Sequence, residues 1–297
     1  MTIILFGSNN PTGAAFLDLC SNNSCETWGR KATGNINTKF VYCDLSEKPV
    51  NLIKPMDGVV VSFAPIWLLS SFLSHLFTNQ PQSILAIKGI IACSSSSYMT
   101  KRFAFNQSDK ELSKKLHEAH MLITRICREM TIPLQILAPT LVYGKVNGYC
   151  DKNIHRIIKL MRISPLIILP KTTGLRQPIH ATQLAQVAYK KANKISAGSW
   201  CNNEPAILTL GGDSILSYKS MLLQIKRELV SDDQASHCLI CTIPDKMFFI
   251  LIIFLLPLNP KFFEAIMRIQ SDLSSFTMAH KILEEPARTF PVHPLPI

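Results

Sequence analysis

The stretch Thr2-Ile-Ile-Leu-Phe-Gly-Ser-Asn-Asn-Pro-Thr-Gly13 contains an apolar run, a short loop bracketed by glycines and the start of a helical pattern. Glycine is needed where a strand turns sharply into a helix and the backbone must approach a bound group. Gly7 and Gly13 meet that need, whereas Asn10 stands at the middle glycine position. Asn tolerates left-handed backbone angles, and its side chain would crowd phosphates or donate to them. The stretch favours a phosphate-binding loop, and an ordinary tight turn stays open as the alternative.

Apolar strand patterns alternate with helical patterns through the first half of the chain. The predicted strands cover residues 2–6, 25–29, 40–42, 58–63, 88–93 and 133–137, and the clearest helix covers 109–130, capped by Ser108 or Asp109. This alternation predicts a doubly wound parallel sheet, a Rossmann-like α/β fold, over residues 1–144. We expect residues 145–297 to form mainly a smaller C-terminal α/β lobe for substrate, interleaved with the first part and including a strand at 206–210.

The composition excludes several classes of protein. The chain has 297 residues, 47% of them hydrophobic and 17% charged, which excludes disorder and is enough for a large core. Its formal charge is +11, and residues 145–194 hold ten Lys or Arg against one acid, Asp151. This stretch should face an anion. Nucleic acid is not expected, because interleaved aromatic residues and a recognised module are lacking.

The nine cysteines indicate a reduced compartment. Their spacing is irregular and the first residues do not form a signal peptide, so a cytoplasmic protein is expected. Cys238 and Cys241 form a lone CxxC with apolar flanks, which favours a core strand over a redox or metal site. No metal is predicted.

A twelve-residue apolar run begins at Met247 and ends at Leu258, bracketed by Lys246 and Lys261. It is shorter than the roughly 20 residues that span a bilayer. The prediction is a buried helix of the second lobe. The alternative is an interfacial helix that contacts a membrane, which would make the protein membrane-associated, or a protein partner.

Arg30 and Lys31 follow the second predicted strand, where no acid stands. In dinucleotide-binding folds an acid at this place selects NAD and a base accepts the 2′-phosphate of NADP. NADP is therefore preferred, with NAD as the second choice. A solvated basic turn is the alternative without a ligand.

Six segments resemble a known family: 4–13, 43–45, 60–66, 93–97, Ala138-Pro-Thr-Leu-Val-Tyr-Gly144 and Gly174-Leu-Arg-Gln-Pro-Ile-His-Ala181. By these the chain resembles the extended short-chain dehydrogenase/reductase superfamily, and within it the nucleoside-diphosphate-sugar epimerase/dehydratase-like members found with polysaccharide biosynthesis. Two departures from the family pattern are Ala138 in place of Arg, and Thr182 or Gln183 in place of Asp.

The resemblance implies a set of binding residues. Asp44 and Leu45 would contact adenine, and Phe63 to Pro65 would line the ribose and nicotinamide side. Arg176 and Gln177 would bind substrate phosphates, with His180 near the substrate's nucleotide. The full set of cofactor candidates is Gly7, Ser8, Asn9, Asn10, Thr12, Gly13, Arg30, Asp44, Leu45, Phe63, Ala64 and Pro65.

The catalytic pattern departs from the family. The superfamily's Tyr-x-x-x-Lys places a Tyr, whose pKa is lowered by the Lys, beside the reacting hydroxyl. Here Lys114 takes the Lys position and Lys110 the Tyr position, on what reads as a solvated helix face. The resemblance implies that the family's catalytic Ser or Thr, which hydrogen-bonds the sugar, corresponds to one of Ser94 to Ser97. The catalytic candidates are therefore Tyr98, Lys101, Ser95 and Ser96.

Two function classes follow from the sequence. The first is an NAD(P)-dependent epimerase, dehydratase or reductase of a nucleotide-linked sugar, in surface polysaccharide biosynthesis. The second is a non-catalytic Rossmann protein that binds a dinucleotide or a nucleotide sugar. Members of the family often dimerise through two long helices, and the sequence leaves a homodimer open.

Overall fold

A computed structural model describes residues 2–20, 25–32, 38–47, 54–200, 205–254 and 260–295. The strands in these ranges are β1 (Ile3–Phe6), β2 (Cys25–Gly29), β3 (Lys39–Tyr42), β4 (Gly58–Ser62), β5 (Ile87–Cys93), β6 (Leu134–Pro139), β7 (Val142–Tyr143), β8 (Lys145–Val146), β9 (Tyr149–Cys150), β10 (Leu166–Pro170), β11 (Leu175–Arg176), β12 (Ile179–His180), β13 (Ile207–Gly211), β14 (Leu216–Ser217), β15 (Leu239–Ile243) and β16 (Thr277–Met278).

The α-helices in the same ranges are α1 (Pro11–Leu19), α2 (Ile66–Asn79), α3 (Pro81–Leu85), α4 (Ser97–Thr100), α5 (Gln107–Glu129), α6 (Asn153–Ile163), α7 (Ala181–Ser196), α8 (Tyr218–Glu228), α9 (Asp245–Ile253), α10 (Pro260–Met267) and α11 (Ala279–Leu283).

Eight parallel strands form the main sheet in the order β3-β2-β1-β4-β5-β6-β13-β16. This confirms the predicted doubly wound α/β fold. Helices α2 and α5 cover one face, and α1 and α7 cover the other. Every residue of β1 and β4 is buried. Because both faces of these strands are covered, their sequences are continuously apolar and do not alternate.

The strand predicted at 206–210 does not complete a second lobe. As β13 it pairs with β6, and β16 pairs with β13, so the second half of the chain supplies the last two strands of the main sheet. A strand pattern indicates a strand but not the sheet that it joins, which is why the prediction placed it elsewhere.

The smaller lobe has its own core. It lies between helices α6 and α8 and the 3-10 helix Gln234–His237. Ile158 of α6 and Met221 of α8 are buried there together with Tyr143. A two-stranded sheet, β10 and β15, lies at the surface of this lobe. The predicted strand is confirmed as β15. Cys238 is buried and Cys241 is exposed, so only one end of the CxxC is in a core.

Helix α5 begins two residues earlier than predicted. Its cap is Asn106, whose Oδ1 accepts a hydrogen bond of 2.9 Å from the Asp109 N–H. The caps proposed from sequence, Ser108 and Asp109, are therefore wrong. Ser108 lies within the first turn of α5, and the Asp109 carboxylate has other partners.

The apolar run from Met247 to Leu258 forms α9 and its continuation at Phe254, while residues 255–258 lie outside the described residues. Only Phe248 and Ile252 are buried in this helix. The prediction of a buried helix is wrong for most of its circumference. Among the described residues, no helix combines the length and the apolar character needed to cross a bilayer.

Candidate functional site

The loop between β1 and α1 needs both of its glycines. Gly7 has φ +75°, and a Cβ there would lie 2.6 Å from the Ala64 nitrogen. A Cβ on Gly13 would lie 2.2 Å from the Gly7 oxygen. The loop is therefore packed directly against the end of β4, with no room for a side chain at either glycine. Its approach to a phosphate stays a prediction.

Asn10 caps α1 in an extended conformation (φ −146°), not in the left-handed one that the sequence suggested. Its Oδ1 accepts from the Gly13 N–H at 2.9 Å, and its Nδ2 donates to the Gly7 and Phe63 carbonyls at 2.7 and 3.3 Å. The amide thus joins the loop to the end of β4. Because Pro11 has no N–H and the Gly13 N–H is bonded, Thr12 supplies the first-turn donor for an anion.

A cavity of about 620 Å³ lies at the carboxyl ends of β1 to β4. The strand order reverses there, between β1 and β4, which is where open α/β sheets bind their ligands. The predicted cofactor residues line this cavity except for Thr12 and Gly13, which lie in the first turn of α1. Lys31, which the sequence places beside Arg30, also lines the cavity. The other lining residues were not predicted from the sequence, and they are Phe6, Trp28, Gly29, Cys43, Ser46 and Leu68.

Charges of both signs meet at the rim of the cavity. The Asp44 carboxylate accepts from the Ser46 N–H and hydroxyl at 2.9 and 2.6 Å, and it lies 4.0 Å from the Arg30 guanidinium. The hydrogen bonds from Ser46 and, less strongly, the charge of Arg30 lower the pKa of Asp44. The Arg30 side chain is 75% exposed and Lys31 lies beside it. Both cations are therefore available to an anion in the cavity.

A buried histidine, His120, lies next to the end of β5, the strand that pairs with β4. Ser94 directly follows β5, and its Oγ lies 2.6 Å from Nε2 of His120 on α5. His120 is 2% exposed, and burial, with a smaller effect of His117, lowers its pKa to about 4. Its Nδ1 has no hydrogen-bond partner among the described residues. His120 was not predicted from the sequence, although its place as a polar residue on the apolar face of α5 was an available signal.

The predicted catalytic residues have different partners in the structure. The Tyr98 ring packs edge-on against His120 at 4.8 Å, and burial raises the pKa of Tyr98. The Ser95 hydroxyl donates to that of Ser97 at 3.0 Å, and Ser96 is buried. The Lys101 Nζ is bonded to Asp109 at 2.7 Å.

Helix α5 has no Tyr–Lys pair facing the sheet. Lys110 and Lys114 are exposed, and Lys114 forms an ion pair of 3.8 Å with Glu118. The reading of both lysines as solvated charges agrees with these positions.

The three predicted substrate residues are buried and have protein partners. Arg176 donates to the Leu175 and Ser271 carbonyls at 2.7 and 2.6 Å, and Gln177 donates to the Gly212 carbonyl at 2.8 Å. His180 caps α7, and burial lowers its pKa. These side chains hold the C-terminal segment and α7 in place. Their role toward a substrate stays a prediction.

Comparison with known proteins identifies the fold. No family model matches the chain, and no curated protein matches it. Among solved structures, the UDP-glucuronic acid 4-epimerase from Bacillus cereus, in complex with NAD, has a TM-score of 0.64 at 14% identity, covering 97% of this chain and 94% of that one. MoeE5, in complex with UDP-glucose and NAD, has a TM-score of 0.60 at 15% identity, covering 98% and 95%.

A third similar structure is TunA, an NAD-dependent NDP-hexosamine 5,6-dehydratase of tunicamycin biosynthesis. Its TM-score is 0.58 at 11% identity, covering 82% of this chain and 84% of that one. The chain therefore shares the fold of nucleotide-sugar epimerases and dehydratases over almost its whole length.

Proposed function

We propose that the cavity at the ends of β1 to β4 binds a nicotinamide dinucleotide, and NADP in preference to NAD. The observation that carries the proposal is the close packing of the loop between β1 and α1 on the end of β4. A Cβ on Gly7 would clash with the backbone of Phe63 and Ala64, and a Cβ on Gly13 would clash with the backbone of Gly7. NAD is present in the complexes of the epimerase from Bacillus cereus and of MoeE5. Asp44 and Leu45 would hold the adenine side, and Arg30 and Lys31 would bind the 2′-phosphate.

We further propose that the substrate is a nucleotide-linked sugar and that the reaction is an epimerisation, dehydration or reduction. Two of the similar structures are named as an epimerase and a dehydratase of nucleotide sugars, and the MoeE5 structure contains UDP-glucose. When bound, the nicotinamide accepts or donates a hydride at C4. A cytoplasmic role in surface polysaccharide biosynthesis is part of this proposal and rests on the resemblance of the sequence.

Ser94 and His120 are the polar groups that this chain offers at the reacting end. If Nδ1 carried the His120 proton, a buried N–H would lack a partner, so the Nε2–H tautomer that donates to Ser94 is favoured. The Ser94 hydroxyl hydrogen can then point to a sugar oxygen. Burial keeps Tyr98 protonated, so it can donate a proton but does not provide a tyrosinate.

A second function is favoured by one observation. Lys101 is bonded to Asp109, Lys110 and Lys114 face solvent, and Tyr98 has no lysine four residues on. A protein that keeps the dinucleotide or nucleotide sugar without turnover would show this arrangement.

Titration of NADPH and NADH fluorescence tests the binding proposal. We expect the Arg30→Ala, Lys31→Ala double variant to weaken NADPH binding by about tenfold and to leave NADH binding nearly unchanged. Lys88→Ala is the control, since Lys88 is exposed away from the cavity. A folded protein that binds neither a dinucleotide nor a nucleotide sugar would refute both functions. Binding without turnover on a panel of nucleotide sugars would leave only the second.

A further inference from the structure

Helix α9 carries apolar side chains around nearly its whole circumference. Every residue from Met247 to Phe254 is apolar, yet only Phe248 and Ile252 are buried. These two lie four apart and form one narrow stripe against the lobe. The side chains that remain exposed are Met247 (58%), Phe249 (43%), Ile250 (61%), Leu251 (53%), Ile253 (41%) and Phe254 (71%). A helix that is apolar on all sides belongs in a core or a bilayer.

The neighbouring sheet extends this surface. Helix α9 contacts β10, which pairs in parallel with β15 in the register Leu166 to Leu239 and Ile168 to Cys241. Residues two apart on a strand share a face, and Leu166, Ile168 and Leu239 are 41%, 36% and 61% exposed. We call α9, Phe254 and these three residues the apolar patch. Contiguous exposed apolar surface of this kind marks an interaction site in proteins that are otherwise soluble.

Positive charge lies at the start of α9, at one end of the apolar patch. The Thr172 N–H donates to the Asp245 carboxylate at 3.0 Å, so the exposed Lys171 and Lys246 lie together at the start of α9. Helix α6, which leads into β10, exposes Arg156 and Lys159. Asp245 is the acid at this end of α9, and its carboxylate is already bonded to the Thr172 N–H. The partner of the patch should therefore be apolar within and anionic at its surface.

We propose that the apolar patch docks the protein on an anionic lipid bilayer, with α9 lying in the plane of the interface. Nine residues make a helix of about 14 Å, which cannot cross a hydrocarbon core of about 30 Å. An apolar helix face buried by about 5–10 Å, together with basic residues, is the usual combination for interfacial binding. The inference does not depend on the dinucleotide site.

Flotation of the full chain with lipid vesicles tests this proposal. We expect it to float with vesicles of phosphatidylcholine and phosphatidylglycerol, and more weakly with phosphatidylcholine alone. The Ile250→Glu, Leu251→Glu variant should lose binding by tenfold or more, because two charges would enter the apolar interface. Lys171→Ala and Lys246→Ala should each weaken binding to the anionic vesicles by about fivefold.

Leu85→Glu provides the matched control. Leu85 on α3 is 71% exposed, so the same substitution tests a charge on an apolar position away from the patch, and binding should not change. Circular dichroism verifies that each variant is folded. Failure of the wild type to float, or equal flotation of the Ile250→Glu, Leu251→Glu variant, would overturn the proposal. So would a dimer in light scattering that this variant dissociates while vesicles bind neither form, since a second copy would then cover the patch.

Discussion

Asn10 determines how the backbone groups of the loop between β1 and α1 are hydrogen-bonded. Its side chain occupies the Gly13 N–H and fastens the loop to the end of β4. The sequence located this departure at the correct position but not its effect, because a residue type does not reveal which way an amide side chain turns. The cap stabilises the loop, and it withholds one donor from an anion at the helix N-terminus.

Replacing Asn10 with glycine should separate these two effects. Asn10→Gly frees the Gly13 N–H, so we expect NADPH to bind several-fold more tightly, by about 1 kcal/mol for one added hydrogen bond. Loss of the cap and of the bonds to Gly7 and Phe63 should lower the free energy of unfolding by about 1 kcal/mol. Fluorescence titration and urea denaturation measure the two quantities. Weaker binding in a folded Asn10→Gly protein would show that Asn10 itself contacts the ligand.

Gly7→Ala should be far more damaging than the same change at Gly148. Both residues have positive φ, +75° and +81°, so both substitutions carry the same backbone strain of about 1 kcal/mol. Only Gly7 is crowded, because a Cβ there would lie 2.6 Å from backbone atoms of Ala64 and Phe63, whereas a Cβ at Gly148 would meet no atom within 4 Å. We expect Gly7→Ala to lower the free energy of unfolding by a further 1–3 kcal/mol, roughly, and to abolish NADPH binding. Equal effects in urea denaturation would contradict a tight loop–β4 junction.

His120 makes stability depend on pH. Its folded pKa of about 4 is below its ordinary value of 6.5, so the unfolded chain binds the proton first as pH falls. Stability is full above pH 6.5 and is lost between pH 6.5 and 4, by roughly 3 kcal/mol. Wild type should therefore lose this much more stability than His120→Gln between pH 7 and pH 4 in urea denaturation. Parallel pH profiles would contradict a buried neutral His120.

At the scale of elements, α5 and its cap are joined to the C-terminal segment by two carboxylates, those of Asp109 and Glu264. Asp109 is 5% exposed and bonds Lys101 at 2.7 Å, Asn106 at 2.9 Å and Arg268 at 2.6 Å. Burial opposes its ionisation, but these bonds hold the pKa of Asp109 well below its usual range. The sequence predicted α5 and its apolar face. It could not predict this network, because Asp109 and Arg268 are far apart in the chain and ion pairs leave no periodic pattern.

We expect Asp109→Asn to destabilise the protein by roughly 2–3 kcal/mol, because Lys101 would lose its carboxylate partner and Arg268 would keep only Glu264. The stability that Asp109 contributes is present above its unfolded pKa near 3.9 and is lost at lower pH. Hydrogen exchange should increase in α10 as well as in α5. Glu118→Gln, which breaks the exposed pair with Lys114, should cost less than about 0.5 kcal/mol. A change limited to α5 would mean that Asp109 does not hold the C-terminal segment.

At the scale of the whole molecule, the main sheet contains strands from both sides of the predicted division at residue 144. Periodicity correctly gave most strands of the first half and the doubly wound class of fold, since each local pattern reflects its own burial. The partners of β13 and β16 depend on contacts between distant residues, which local patterns do not encode. Helix α7 covers the same face of the sheet as α1, with Leu184, Ala185 and Ala188 buried there.

A fragment of residues 1–144 should therefore fail to fold on its own. It lacks α7, so the apolar face formed with Val59, Val61 and Phe16 would be open to water, and β6 would be left as an unpaired edge. A fragment of residues 1–211 keeps α7 and β13 and serves as the control, which should keep α/β circular dichroism with a lowered melting temperature. The full chain should unfold in one calorimetric transition, because its two halves share one sheet. A soluble 1–144 fragment with a cooperative transition would show that the first half is an independent domain.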